Sequence, residues 1–176
     1  WTVGSSSALP AQQQIETSNN GFELWLGRHT AGRTAAEFST ELLAVRLLQE
    51  VADALNIGSI WNPPEQVSDL LLHLHTSDTI TAESVLQRLR LNVQQLDDAL
   101  LDSHHQQKID SLYENSQNPA TFFEQLESIA FYRLPTDYLQ RFAERLQQQT
   151  PDGLRLQLNR LLELQHYHWI LKRPTD

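Results

Sequence analysis

Histidines are the residues of this sequence best suited to bind a metal or transfer a proton, and the chain has seven of them. Three pairs are close in sequence: His73 with His75, His104 with His105, and His166 with His168. Metal ligands on one helix need a spacing of three or four residues, so pairs one or two residues apart diverge. Glu163 and His166 share a helix face, as do Asp102 and His105, but a di-iron site needs two Glu-x-x-His pairs and further helical glutamates. The sequence therefore predicts no metal site and no cofactor.

The best candidate site for a small anion consists of Arg28, His29 and Arg33. These residues fall in a polar segment just before a predicted helix N-terminus, where the backbone N–H groups and the helix dipole favour negative charge. The alternative is a solvated loop whose cations only neutralise nearby acids, because isolated surface charges contribute little by themselves.

Familiar catalytic motifs do not occur in the sequence. It has no Gly-x-Ser-x-Gly turn, no phosphate-binding glycine loop and no dinucleotide-binding glycine pattern. The lack of Cys excludes disulfides, thiolate zinc sites and cysteine nucleophiles. We therefore name no catalytic residue and favour a non-enzymatic protein. The alternative, a helical enzyme that draws its site from Arg28, His29, Glu163 and His166, predicts a polar pocket where these residues converge.

The charge balance bears on the partners. The 176 residues carry 22 carboxylates against 13 lysines and arginines, for a formal net charge of −9. An acidic surface repels phosphates, so nucleic acid is an unlikely partner. No run approaches the roughly 20 apolar residues that span a bilayer, so a membrane contact would need a segment outside this piece. The chain also has no Met, which indicates a piece cut or processed from a longer protein.

Capping signals predict a succession of helices. Thr34 and Glu37 form a capping box that starts a helix ending near Asn56. A second helix is predicted from Asn62–Glu65, with Val67, Leu70, Leu71 and Leu74 as its apolar face. Further helix starts are predicted at Thr81, Asn92, Asn118, Pro135 and Thr150, the last helix running almost to Pro174. The predicted fold is all-α: an orthogonal array or bundle of about six to seven helices with an extended N-terminal linker.

The predicted domain organisation is a flexible linker over residues 1–20 and a single helical domain over residues 21–176. Trp1–Val3 and the small polar residues after them are also compatible with the end of a signal peptide or with a tether after a membrane anchor. A cell-envelope or extracytoplasmic location therefore stays open, beside an ordinary chain terminus.

Residues 82–101 resemble a helix-turn-helix of the kind found in bacterial transcription regulators. Asn92 would start the second helix, with Leu96 and Leu100 facing inward. That helix would expose Gln94, Gln95, Asp97 and Asp98, and aspartates that face phosphates oppose DNA binding. These four residues are instead interpreted as candidate protein contacts.

The function predicted from these observations is that of a non-enzymatic helical protein-interaction or regulatory module of a larger bacterial protein. Its predicted partner is either another protein or a second copy of itself. A helix-turn-helix transcription regulator is the first alternative, and the helical enzyme is the second.

Overall fold

A computed structural model describes residues 11–17, 21–61 and 67–175, which form a five-stranded mixed sheet and six α-helices. The strands are β1 (Gln12–Thr17), β2 (Phe22–Ala31), β3 (Gly58–Trp61), β4 (Val67–Thr76) and β5 (His168–Pro174). The helices are α1 (Phe38–Ala54), α2 (Ala82–Gln94), α3 (Asp98–Gln117), α4 (Pro119–Phe131), α5 (Tyr138–Gln147) and α6 (Pro151–Leu161). No helix in these ranges is long and apolar enough to cross a membrane.

The sheet has the strand order β1-β5-β2-β4-β3, so it joins the two ends of the chain. β1 is parallel to β5, while β2 is antiparallel to both β5 and β4, and β3 is antiparallel to β4. Strands pair through backbone atoms of residues that are distant in sequence, such as Gln12 with Trp169 and Trp25 with Ile170.

One face of the sheet forms the core together with the helices. Alternate strand residues are buried there, because successive side chains of a strand point to opposite faces. On β4 these are Leu70, Leu72 and Leu74, which are 0%, 1% and 9% exposed, and on β2 they include Leu24 and Leu26. They pack in one cluster with buried residues of α1, α2 and α6. We call the other face, which carries Trp25, Leu71 and Ile170, the open sheet face.

The predicted all-α fold, an array or bundle of about six to seven helices with an extended N-terminal linker, is therefore wrong. Leu70, Leu71 and Leu74 have helical spacing, but this segment forms β4, which buries Leu70, Leu72 and Leu74 with period two. The last predicted helix ends at Leu161 instead of near Pro174, and the residues after it include β5. In both segments, pairing with β2 decides the conformation over local helix propensity.

Several helix starts lie where capping chemistry predicts them. The side chain of Thr81 accepts a hydrogen bond from the Ser84 backbone N–H at 3.1 Å, and Thr150 accepts one from Gly153 at 3.2 Å. Asn118 caps α4 in the same way, with Pro119 at the first helical position. Asn92, in contrast, lies inside α2, and α3 begins later with Asp97 as its cap.

Parts of the predicted linker can be compared with the structure. Residues 1–10 and 18–20 lie outside the described residues, as does the predicted helix start at residues 62–65. Gln12–Thr17, which fall within the predicted linker, form β1. The division into a linker and one domain over residues 21–176 stays a prediction, although that domain is not all-helical.

Candidate interaction surface

The three residues of the predicted anion site do not form one cluster. Arg28 and His29 are neighbours on β2 and therefore lie on opposite faces of the sheet. The Arg28 guanidinium lies 5.6 Å from the centre of the Tyr167 ring and donates a hydrogen bond to the Arg160 carbonyl oxygen at 2.7 Å. His29 pairs on the open sheet face with Asp69, with 2.7 Å between Nδ1 and Oδ1. Arg33 lies in the turn between β2 and α1.

A polar cavity of about 440 Å³ does bring Arg28, Glu163 and His166 together, as the enzyme hypothesis predicts, but not His29. Its most buried ionisable group is Glu41 of α1, which accepts a hydrogen bond from the Ala31 backbone N–H. Burial raises the pKa of the Glu41 carboxyl above its ordinary value, because the charged form is poorly solvated there. Glu41 thus satisfies a backbone donor where β2 ends, which is a structural role.

Sequence reasoning missed Glu41 because it stands beside the apolar positions Phe38, Leu42 and Val45 of α1, where it looks like a solvated neighbour. The signal that could have found it is its place within the first turn of a helix that is otherwise buried on most sides. Two of its neighbours in the cavity are paired with each other, with His166 Nε2 3.0 Å from Glu163 Oε2.

Several histidines lie together on the open sheet face, although the predicted helices would have placed them on different sides. Trp25 stacks on His73 with 3.9 Å between ring centres, and Glu23 forms an ion pair with Lys172 at 2.9 Å. The partnership with Lys172 lowers the pKa of Glu23. His29, His73, His75 and His168 belong to this face by their strand register. Across residues 11–17, 21–61 and 67–175, no group of three or more His, Asp or Glu side chains is placed to hold a metal ion.

The four predicted protein-contact residues lie at the junction of α2 and α3. Gln94 and Gln95 are exposed. Asp97 caps α3 by accepting a hydrogen bond from the Leu100 N–H at 2.7 Å, and Asp98 pairs with Arg155 of α6 at 2.7 Å. Both aspartates thus have roles within the fold, and a role in partner binding stays a prediction for all four residues.

A larger apolar surface lies on α4 and the end of α3. Although α4 contains three Phe residues, none of its residues is buried. Phe123 is 61% exposed and Phe131 is 78% exposed. We define the α4 surface as the exposed large apolar side chains of this region: Tyr113, Phe122, Phe123, Leu126 and Phe131. They are half of the ten exposed large apolar residues in the described chain, and a concentration of exposed apolar side chains marks an interaction site.

A groove of about 340 Å³ runs beside this surface, between α3, α4 and α5. Its walls are mostly apolar and its polar lining residues are uncharged: Ile109, Leu112, Tyr113, Ser116, Phe122, Gln125, Leu139, Gln140, Ala143 and Gln147. A cavity of this size and lining fits a few apolar side chains of a partner.

Carboxylates border the α4 surface and the groove. Asp110 and Glu114 follow lining residues on α3, and Glu124 and Glu127 are the two charged residues of α4. None of these four belongs to an ion pair within the described part of the chain. The lysine of α3, Lys108, instead lines a separate cavity against α1, where burial lowers its pKa. The surface is therefore apolar, and its border is mainly acidic, with the exposed Arg133 just beyond the end of α4.

Sequence reasoning predicted the helix but not its exposure. Phe122, Leu126 and Ile129 have the spacing of a core-facing stripe. From sequence alone, such a stripe cannot be distinguished from an exposed one that binds another protein.

Comparison with solved structures identifies the fold. The inactive domain of a peptidase M16 from Pseudomonas fluorescens has a TM-score of 0.65 and 19% sequence identity, over 96% of this chain and 44% of that chain. The inactive peptidase domain of a candidate zinc protease from Bordetella parapertussis has a TM-score of 0.60 and 9% identity, over 92% of this chain and 95% of that one. The chain has the fold of inactive M16 peptidase domains.

A third similar structure is the ferredoxin protease FusC in complex with Arabidopsis ferredoxin, with a TM-score of 0.60, 13% identity, and coverage of 96% of this chain and 21% of that chain. This chain spans less than half the length of the Pseudomonas M16 peptidase chain to which it is similar. No protein-family model matches the sequence, and no curated protein matches it.

The likeness to M16 domains also decides the helix-turn-helix hypothesis. The similar structures reported above are two inactive peptidase domains and a protease, and not transcription regulators, so the interpretation of residues 82–101 as a helix-turn-helix is wrong. Two helices joined by a short turn are present there, but they belong to an α/β fold whose would-be recognition helix starts at Asp98.

Proposed function

We propose that this chain is a non-catalytic domain of a larger protease-like protein, and that it binds a segment of another protein on its α4 surface. The observation that carries the proposal is α4 itself, a Phe-rich helix left uncovered in a domain with the fold of inactive peptidase domains. Leaving so much apolar surface in water costs free energy that a partner would recover on binding.

The non-catalytic part of the proposal rests on chemistry as well as on fold. Zinc peptidases that carry their ligands on one helix use His-Glu-x-x-His or His-x-x-Glu-His. Neither pattern occurs in the 176 residues. The polar cavity around Glu41 holds carboxylates and a histidine, but Glu41 accepts a hydrogen bond from the end of β2 and His166 is paired with Glu163.

The negative charge of this border indicates which partner segments are complementary to the α4 surface. Asp110, Glu114, Glu124 and Glu127 would face whatever covers the α4 surface, so a segment with Lys or Arg between apolar residues is complementary. A second copy of the chain would bring the same carboxylates against each other, and nucleic acid would bring phosphates. We therefore propose a basic, apolar segment of another protein as the occupant, and among the similar structures FusC itself has a protein, ferredoxin, bound.

A labelled amphipathic peptide of Leu and Lys, roughly 18 residues long, tests this proposal. In fluorescence anisotropy, it should bind saturably and at least about tenfold more tightly than the matched peptide of Leu and Glu. Mass spectrometry after incubation with Zn²⁺ should recover both peptides intact. Equal affinity for the two peptides would overturn the binding part of the proposal, and hydrolysis of either would overturn the non-catalytic part.

A further inference from the structure

A second cavity, of about 140 Å³, lies where α1 begins and is separate from the α4 surface and its groove. The turn after β2, the start of α1 and the helix α5 surround it. Three arginines and three hydroxyl-bearing residues line it together with apolar side chains: Arg33, Arg141, Arg145, Thr34, Ser39, Tyr138, Ala35, Phe38, Pro135 and Phe142. No carboxylate is among these lining residues.

Two of the three arginines are held in place by their surroundings. The Arg33 guanidinium lies 5.1 Å from the centre of the Tyr132 ring and hydrogen-bonds to the side chain of Tyr138. Arg141 pairs with Asp137 of the preceding turn at 2.6 Å. Asp137 does not itself line the cavity, whose lining carries three cationic side chains and no carboxylate.

Ser39 supplies an independent sign that the cavity is a binding site. Its side chain is only 2% exposed, and its Oγ has no hydrogen-bond partner among the residues that the structure describes. Buried hydroxyl groups almost always have a partner, because leaving one without a hydrogen bond costs free energy. Ser39 lines the cavity, so a group bound there could accept its proton in a hydrogen bond.

The position of the cavity at the start of α1 also favours a negatively charged ligand. The helix has 17 residues, Ser39 lies in its first turn, and the first N–H groups of a helix have no partner within it. The helix dipole places partial positive charge at the same end.

We propose that this cavity binds one small oxyanion, either a carboxylate group or inorganic phosphate. Arginine forks suit both, since each presents two oxygens to parallel N–H donors. The volume is that of a small ion or a single functional group. In this proposal, Arg33 of the sequence-predicted anion site binds the oxyanion together with Ser39, Arg141 and Arg145. Arg28 and His29, the other two residues of that predicted site, do not line this cavity.

Isothermal titration with sodium phosphate, and separately with sodium acetate, tests the assignment at constant ionic strength. We expect saturable binding at one site per chain, and the tighter of the two anions identifies the source of the oxyanion. Arg145→Gln should weaken binding about tenfold, as expected for a charge-assisted hydrogen bond. Ser39→Ala removes an unpartnered oxygen, so it should unfold no earlier than the wild type and bind about threefold more weakly.

Arg155→Gln is the matched control, because Arg155 pairs with Asp98 and does not line the cavity. Its anion affinity should equal that of the wild type. The assignment is overturned if the wild type binds neither anion saturably, if Arg145→Gln and Ser39→Ala both keep full affinity, or if Arg155→Gln loses as much as Arg145→Gln.

Discussion

Leu72→Ala is expected to lower the free energy of unfolding by about 3 kcal/mol, and Leu71→Ala by less than about 1.5 kcal/mol. Leu72 is 1% exposed and packs in the core cluster, so its truncation leaves a cavity. Leu71 lies on the open sheet face and is only partly buried, so water can occupy the space that its side chain leaves.

This pair distinguishes the two interpretations of the same leucines. A helix would bury Leu70, Leu71 and Leu74 and expose Leu72, whereas a strand buries Leu70, Leu72 and Leu74. Urea denaturation of both variants measures the difference, with Leu70→Ala as a reference that is costly under either interpretation. A larger loss for Leu71→Ala than for Leu72→Ala would mean that residues 67–76 do not form β4.

Some helix starts were predictable from sequence because capping is local chemistry, although Asn92 lies inside α2 and α1 begins at Phe38 without a side-chain cap. Thr81, Asn118 and Thr150 each contact a backbone N–H two or three residues further on, and such spacings can be seen in the sequence. Strands were harder to predict, since β5 pairs with residues as distant in sequence as Gln12 and Trp25. Local propensity in these leucine-rich segments favours helix, and only long-range pairing reverses it.

The histidine spacing carried a strand signal that the helical interpretation discarded. His73 and His75 are two residues apart, which separates them on a helix but places them on the same face of a strand. The alternation Leu72, His73, Leu74, His75 is the period-two pattern of a half-buried strand. The same alternation explains why Arg28 and His29, adjacent in sequence, could not serve one site.

Phe123→Ser combined with Phe131→Ser should weaken binding of the cationic amphipathic peptide about 100-fold. Burying one Phe side chain contributes about 1.5–3 kcal/mol, so losing two removes about 3 kcal/mol or more. Each tenfold change in affinity corresponds to about 1.4 kcal/mol. Serine leaves the net charge unchanged, so any loss of affinity in the anisotropy titration comes from the apolar contact.

The double variant should keep the stability of the wild type within about 0.5 kcal/mol per site, because both side chains are largely exposed. Leu156→Ser is the control, since Leu156 is an exposed apolar residue of α6 away from α4. A double variant that binds the peptide as well as Leu156→Ser does would show that the α4 surface takes no part in binding.

Photocross-linking from position 123 tests the central claim most directly, because it detects what covers the α4 surface in the whole protein inside the cell. A photoreactive phenylalanine analogue at position 123 should cross-link to a segment of another protein that presents Lys or Arg between apolar residues, and the same analogue at position 156 should not. Cross-links of equal yield from the two positions, or from position 123 only to a second copy of this chain, would contradict the claim that α4 binds a basic, apolar partner segment.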